Sequence, residues 1–191
     1  MDRAILLAIQ DSANPFLDRL FWWLSDQLTF AFPLLILLAC LAVFRYRLNG
    51  LKAWGLIIPL IILADMSGRE IKSLFQHPRP CQEIYQQLHF PDGQQPHACG
   101  KELNGMPSNH AINYFAVSMA IFLITRHPIG LFLFGISIAV GVSRIYLGKH
   151  YPSQVFLGSV IGLLIGWGYA WLCLRYFEFL RTMGANQHHK Q

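Results

Sequence analysis

Three short polar segments interrupt an otherwise apolar sequence, and each contains side chains that bind phosphate or transfer protons. They are residues 72–80, 107–110 and 142–154. Cations and histidines between apolar runs of membrane length are costly to place in lipid, so they mark a functional site by default. A phosphate group needs several cations and hydrogen-bond donors around its oxygens. We therefore expect the three segments to meet in space and to bind a phosphate.

The charged and hydroxyl groups of these segments are of the types that a phosphate requires. Lys72, Arg79 and Arg144 would supply positive charge, and the guanidinium fork of arginine suits phosphate oxygens best. Ser108 would supply a hydroxyl. The helix that we predict to begin after Pro107 adds its N-terminal amides and the positive end of its dipole.

Two histidines of the same segments, His110 and His150, can take separate roles in phosphoryl transfer. One neutral imidazole can attack phosphorus and form a phosphohistidine, while the second donates a proton to the departing oxygen and later activates water. The cations would stabilise the charge on the equatorial oxygens. This chemistry needs neither a metal nor another cofactor, and no spacing of histidine and cysteine here resembles a zinc site.

The composition predicts an integral membrane protein. The chain has 191 residues, of which 54% are hydrophobic and 13% are charged. With neighbouring polar turns, each of five apolar blocks approaches the roughly 20 residues of a spanning helix. The blocks are residues 28–44, 53–64, 111–125, 129–142 and 155–177. We predict an all-α membrane bundle of five transmembrane helices. Because the cations lie at span ends and in the polar segments, we expect no nucleic-acid partner.

The N-terminal residues 1–27 are too polar to span a membrane, and Asn14-Pro15 breaks them in the middle. We predict that they form an interfacial amphipathic helix with Trp22 and Trp23 at headgroup depth. A sixth, tilted span is the alternative for this segment.

The loop at residues 45–52 contains three cations and no acid, so the positive-inside rule places it in the cytoplasm. The long loop at residues 76–106 then lies over the site on the extracytoplasmic face, and residues 178–191 form a cytoplasmic tail. We expect one membrane domain, residues 1–191, in a bacterial inner membrane with a periplasmic site. Cys81 and Cys99 of the long loop either form a disulfide or remain free thiols.

Two helical patterns make further predictions. Asp65, Arg69, Lys72 and Gln76 are spaced by four, three and four residues, so they share one helix face that looks into the bundle or a watery cavity. We interpret Asp65 and Arg69 as an ion pair. In the last span, glycines at intervals of four form a stripe that lets another helix approach closely: Gly158, Gly162 and Gly166.

The three polar segments resemble the three-part signature of the type 2 phosphatidic acid phosphatase superfamily, which includes the vanadium-dependent haloperoxidases. The matching residues are Lys72-x6-Arg79-Pro80, Pro107-Ser108-Asn109-His110 and Ser143-Arg144-x5-His150. The resemblance covers residues 65–170 and implies a helical membrane bundle with its site at the outer surface. It implies that phosphate is held by Lys72, Arg79, Ser108, Asn109 through its backbone amide, and Arg144. By the same resemblance, His110 is the general acid and base, and His150 is the nucleophile.

The sequence departs from this signature at two positions. Asn109 stands where the family usually has glycine, and asparagine tolerates the unusual backbone angles of glycine. Gln154 stands four residues after His150, where the family has an aspartate. The glutamine carbonyl can accept the Nδ1 proton and fix the tautomer, although it brings no charge. We predict that Gln154 orients His150.

These observations favour a membrane lipid phosphatase that acts on a phosphomonoester or diphosphate. Candidate substrates are an isoprenoid diphosphate, phosphatidate or phosphatidylglycerol phosphate, and a lipid A-type phosphate. One alternative is a lipid phosphotransferase that uses the same intermediate, because the choice of acceptor depends on water access. Another is a non-catalytic lipid-phosphate binder or transporter.

Overall fold

The computed structural model describes residues 1–91, 100, 102–178 and 180–181, and all secondary structure within them is helical. The helices are α1 (Asp2–Gln10), α2 (Pro15–Ser25), α3 (Phe32–Gly55), α4 (Ile57–Phe75), α5 (Pro80–Glu83), α6 (Asn109–Thr125), α7 (Ile129–Tyr146) and α8 (Pro152–Tyr176). A π-helical turn, Gln27–Ala31, precedes α3, and a 3-10 turn, Tyr85–Gln87, follows α5. The predicted all-α class is confirmed.

Most of each of the five predicted apolar blocks lies in α3, α4, α6, α7 or α8, although the first block begins in the π-helical turn and the second at the end of α3. By length and composition, three stretches of the described chain could cross a membrane. They are Gln27–Glu83, which contains both α3 and α4, and the single helices α7 and α8. The remaining apolar helix, α6, has 17 residues. The chain is an integral membrane protein.

Helix α6 is the centre of the bundle, where it packs against α8, α7 and α4. The glycine stripe of α8 makes this packing close. A Cβ atom at Gly158 would lie 2.6 Å from the carbonyl oxygen of Ser108, and one at Gly162 or Gly166 would meet an α6 carbonyl oxygen at still shorter range. The predicted packing role of these glycines is therefore confirmed, and it seats α8 directly against the N-terminus of α6.

The prediction of a loop at residues 45–52 is wrong. The chain is helical on both sides of Arg47, and this single residue turns it with φ 55° and ψ −132°. A Cβ at Gly50 would meet the carbonyl oxygen of Ala42, so the two helical pieces fold closely onto each other. The backbone conformation of the exposed residue Arg47 therefore interrupts α3 without an intervening loop.

The N-terminal segment forms two helices, and the break between them lies at Asn14-Pro15, as the sequence predicts. Asn14 caps α2, because its Oδ1 accepts the amides of Phe16 and Leu17 at 3.1 Å each. Helix α2 packs on α7, and α1 contacts both α7 and α8. The segment therefore covers the end of the bundle where α7 stops and α8 starts.

The long loop at residues 76–106 has more regular structure than its sequence predicts, since it contains α5 and the 3-10 turn. Cys81 is disulfide-bonded. Its predicted partner Cys99, the rest of residues 92–99, Lys101 and most of the predicted tail lie outside the described residues.

Candidate active site

One cavity of about 590 Å³ brings together six of the eight predicted site residues. They are Lys72, Arg79, Asn109, His110, Arg144 and His150. The other two, Ser108 and Gln154, are fully buried next to the cavity. The backbone amide of Ser108 donates to the carbonyl oxygen of Gln154 at 3.0 Å, which links the start of α6 to the start of α8.

The turn between α7 and α8 sets Arg144 beside His150. Gly148 adopts a φ of 64°, a left-handed conformation that glycine enters without steric cost. The turn then closes on Arg144, whose carbonyl oxygen accepts the amides of both Lys149 and His150 at 3.1 Å. The C-terminal half of α4 brings Lys72 to the same place, and Ser108 is the N-cap of α6.

The ring of His150 is held from one side. Its Nδ1 lies 2.8 Å from the carbonyl oxygen of Gly105 and 3.2 Å from Oε1 of Gln154. Two acceptors at Nδ1 require the proton there, so Nε2 carries the lone pair. Burial, together with the positive charges of Arg144, Arg79 and Lys72, lowers the pKa of His150 well below its ordinary value. The imidazole is therefore neutral at physiological pH.

The side chain of Gln154 uses its carbonyl and its amide at once. Besides facing His150, its Oε1 accepts the backbone amide of Tyr151 at 3.1 Å. Its Nε2 donates to the carbonyl oxygen of Pro78 at 2.7 Å and to Nδ1 of His77 at 3.0 Å. A carboxylate cannot donate to these two acceptors, so the surroundings of position 154 suit an amide. That Gln154 orients His150 during catalysis stays a prediction.

A second set of side chains in the site, which we call the unpartnered wall, holds polar atoms that are buried without a partner in the described chain. Ser108 Oγ, His110 Nε2 and Arg144 Nε have no hydrogen-bond partner among the residues that the structure describes. Buried polar groups are normally satisfied, and a phosphate offers oxygens that accept from all three. The geometry of this wall fits an anion.

Asn109 is tied to α4 by its side chain. Its Nδ2 donates to Oδ1 of Asp65 at 2.9 Å, and Asp65 also pairs with Arg69 at 3.3 Å, which confirms the predicted ion pair. A Cβ at Gly68 would lie 2.5 Å from Oδ1 of Asn109. Glycine at position 68 therefore provides the space that an asparagine needs. Asp65, Arg69 and Lys72 line the cavity as their spacing predicts, whereas Gln76 does not.

Sequence reasoning missed three groups that hold the site together. Oδ1 of Asn104 accepts from Nε of Arg79 at 2.9 Å, and the Gly105 carbonyl accepts from His150. The hydroxyl of Ser25, at the end of α2, accepts from Arg144. No motif could have identified them, because one is a backbone atom and the others are single polar side chains outside the three polar segments.

Away from its polar end, the cavity is apolar. Its walls there are formed by aliphatic side chains of α3, α4, α6 and α7: Leu34, Leu35, Leu38, Ile61, Ile62, Val117, Leu133 and Ile136. A polar end joined to an apolar slot between membrane helices suits an amphiphilic ligand.

Comparisons with known proteins identify relatives of this chain. Phosphatidylglycerophosphatase B of Bacillus subtilis strain 168 is 28% identical over 155 residues, which cover 75% of this chain and 72% of the relative. Bacitracin transport permease protein BcrC of Bacillus licheniformis is 41% identical over 61 residues, covering 32% of this chain and 30% of the relative. The match to BcrC thus spans less than a third of that protein. Other relatives, matched over shorter parts of their length, are named as lipid phosphatases.

A solved structure has the same fold. It is the crystal structure of a transmembrane PAP2-type phosphatidylglycerolphosphate phosphatase from Bacillus subtilis. The TM-score is 0.67 at 21% sequence identity, and the match covers 92% of this chain and 85% of the other. The model of the PAP2 superfamily matches residues 53–179, which include all three polar segments. The chain therefore belongs to the PAP2 superfamily.

Proposed function

We propose that this protein is an integral membrane phosphatase that hydrolyses the phosphomonoester or diphosphate of a membrane lipid through a phosphohistidine on His150. One observation carries the proposal: the placement of His150. Its Nδ1 faces two acceptors, and the residue lines the same cavity as Lys72, Arg79, Arg144 and His110. The names of the relatives support the same class of substrate.

In the first half of the reaction, the Nε2 lone pair of His150 attacks phosphorus. The bond between phosphorus and the lipid oxygen breaks, and His110 gives its proton to that departing oxygen. Lys72, Arg79 and Arg144 stabilise the charge on the equatorial oxygens, together with Ser108 and the backbone amide of Asn109. Acceptors at Nδ1 stabilise the imidazolium character that His150 gains when its nitrogen bonds to phosphorus.

In the second half, water enters where the lipid oxygen left. His110, now neutral, takes a proton from the water as its oxygen attacks phosphorus. The bond between phosphorus and nitrogen breaks, which releases inorganic phosphate and returns His150 to its neutral form. Over the two halves, His110 gives and regains one proton, and His150 forms and loses one bond to phosphorus. Neither half of this mechanism calls for a metal.

The substrate enters from the bilayer in this proposal. The aliphatic walls of the slot would hold the lipid tail, and the cations would hold the headgroup. An isoprenoid diphosphate, phosphatidate or phosphatidylglycerol phosphate, and a lipid A-type phosphate all meet these requirements. A phosphotransferase would share every step up to the phosphohistidine and pass the phosphoryl group to a second lipid instead of water.

We also propose that the chain forms one membrane domain in a bacterial inner membrane, with its site on the periplasmic face. The basic turn around Arg47 is typical of a cytoplasmic end. The disulfide at Cys81, in the loop next to the site, is typical of an oxidising compartment. Labelling of Cys81 in intact cells by an impermeant thiol reagent, only after mild reduction, would support this orientation.

The test is phosphate release by the purified protein in detergent with EDTA, over a panel of lipid phosphates and diphosphates. We expect wild-type activity to survive chelation and the His150→Ala variant to lose it by at least about a thousandfold. His127→Ala is the matched control, because this histidine lies in the turn between α6 and α7 and lines no part of the site. It should retain activity.

The same assay separates the alternatives. Phosphate release from wild type that stops in EDTA, or that persists in His150→Ala, would contradict the phosphohistidine mechanism. Transfer of labelled phosphate to a second lipid, without release, would identify a phosphotransferase. Binding of a lipid phosphate without any turnover would contradict the phosphatase and favour a non-catalytic lipid-phosphate binder or transporter.

A further inference from the structure

Ser25, in the N-terminal segment, contacts a residue of the site and lies outside the region that the family model matches. Ser25 is the last residue of α2 and is 7% exposed. Its position is fixed by contacts that α2 makes with the end of α7. The hydroxyl of Tyr146 donates to Oδ1 of Asp18 at 2.6 Å, and the rings of Phe21 and Tyr146 lie 4.6 Å apart.

The side chain of Ser25 holds a phosphate-binding group of the proposed site. Its hydroxyl oxygen accepts from Nη1 of Arg144. Arg144 is itself only 7% exposed, and its Nε has no partner among the described residues. One edge of the guanidinium is thus anchored by Ser25, while the Nε donor stays available. A planar fork fixed at one nitrogen has its remaining donors fixed in direction.

The backbone of Ser25 also lies beside the second histidine. It is within hydrogen-bonding reach of the ring of His110. The carbonyl oxygens in the last turn of a helix have no acceptor role within it, so the end of α2 has a carbonyl to offer. Nε2 of His110 has no partner in the described part of the chain, which leaves Nδ1 for this bond. The nitrogen that must exchange the proton therefore stays on the side away from Ser25.

We propose that Ser25 is a positioning residue that sets Arg144 and His110 relative to each other, so that the N-terminal segment forms part of the active site. Its hydroxyl fixes the cation that holds the phosphate, and its backbone fixes the group that protonates the departing oxygen. The inference rests on the proposed function, and it adds a residue that none of the three signature motifs contains. The hydroxyl of Ser25 affects the reaction through its hydrogen bond to Arg144.

The experiment measures two quantities in the full-length protein in detergent. One is the Kd of orthovanadate, a phosphate analogue, by calorimetry, and the other is kcat/KM for lipid phosphate release. In Ser25→Ala we expect orthovanadate binding to weaken about tenfold and kcat/KM to fall about tenfold or more, because a hydrogen bond to a charged group is lost. Ser12→Ala is the control, since Ser12 is an exposed serine of the same segment whose hydroxyl bonds the carbonyl of Ile9, away from the site. It should match wild type.

Two further comparisons separate positioning from mere packing. Ser25→Thr keeps the hydroxyl and should stay within about threefold of wild type, whereas Ser25→Val, which has the same shape without a hydroxyl, should behave like Ser25→Ala. In an Arg144→Lys background, Ser25→Ala should cause little further loss, because its target has already been changed.

Equal losses from Ser25→Ala in both backgrounds would overturn the inference, as would wild-type orthovanadate binding in Ser25→Val. A protein that binds orthovanadate in a Ser25-dependent way but hydrolyses no lipid would retain the role of Ser25 and refute the proposed function instead. If the protein hydrolyses lipid phosphates and Ser25→Val has no effect, the proposed function is retained and the role of Ser25 is refuted.

Discussion

Two sets of side chains in the site differ in how their polar atoms are partnered. In the first set, which we call the partnered wall, Nδ1 of His150 and both polar atoms of the Gln154 side chain have partners at 2.7 to 3.2 Å. In the second set, the unpartnered wall, Ser108 Oγ, His110 Nε2 and Arg144 Nε are buried with no partner in the described chain. The polar atoms of the first set are satisfied within the protein, whereas those of the second set are free to bind a ligand.

The unpartnered wall lowers the stability of the folded protein. A buried polar atom without a partner is unfavourable, so folding would satisfy these three atoms if only stability mattered. Their common location fits donors held in place for a phosphate, which need not reorganise when it binds. Substitutions on the partnered wall should therefore change stability and turnover. Substitutions on the unpartnered wall should change phosphate binding and leave stability alone.

The largest effect is expected from Gln154→Leu on the partnered wall. The change removes one acceptor from His150 and leaves the Tyr151 amide without its partner. It also takes the 2.7 Å donor from the Pro78 carbonyl, which keeps Nδ1 of His77 at 3.1 Å. Each buried group left unpaired costs about 1 to 3 kcal/mol. We expect kcat to fall about a hundredfold, with a lower melting temperature and little change in KM. Turnover of lipid phosphate and thermal unfolding in the same detergent measure the two effects.

Gln154→Glu sharpens the comparison, because glutamate keeps the shape and the acceptor while losing the donor. A carboxylate oxygen would then face the carbonyl of Pro78, where the amide now donates at 2.7 Å. We expect this variant to fall between wild type and Gln154→Leu in kcat. Turnover above wild type would show instead that the missing charge of an aspartate limits the enzyme.

A smaller effect, of a different kind, is expected from Ser108→Ala on the unpartnered wall. Removing a hydroxyl that bonds nothing in the described chain leaves no group unpaired, so the melting temperature should hold or rise slightly. Phosphate loses a donor, and kcat/KM should fall about tenfold, mainly through KM.

The matched control is Ser137→Ala, whose hydroxyl lies 2.9 Å from that of Ser118 and 2.9 Å from the Leu133 carbonyl. It should lower the melting temperature and leave KM unchanged. If Ser108→Ala instead melts early at wild-type KM, the two walls do not differ in the way proposed.

The sequence predicts the unpartnered wall better than the partnered one. Lys72, Ser108, His110 and Arg144 could be placed together because charged side chains between apolar helices have few other locations. The partnered wall depends on backbone carbonyls at Pro78 and Gly105, and a carbonyl has no signature in a sequence. Of that wall, Gln154 could be predicted because it stands where the family signature has an aspartate, four residues after His150.

The fold shows the same limit. Apolar blocks identify the long helices, because each needs a continuous hydrophobic length. The break at Arg47 and the short helix α5 could not be predicted, since neither depends on a long pattern. The contact of Ser25 with Arg144 joins residues 119 positions apart in sequence. Pairings of this kind follow from how α2 packs on α7, which local sequence does not encode.

The smallest effect concerns Lys149, which belongs to neither wall and acts through its charge. Burial and the nearby charges of Arg144 and Arg79 lower the pKa of Lys149 to about 8. Its positive charge is present below that pH, attracts an anionic headgroup, and is lost as the pH rises through 8. Between pH 7 and pH 9, we expect the KM of wild type to rise about twofold more than the KM of Lys149→Gln. The KM of Lys149→Gln should already be higher than that of wild type at pH 7, and kcat should be the same for both.

Lys52→Gln is the control, because Lys52 lies near the turn of α3 at the far end of the bundle. This variant should keep the wild-type pH dependence. An identical rise in KM for Lys149→Gln and wild type would mean that the headgroup responds only to groups that touch it, and the distinction between the two walls would then account for all of the binding.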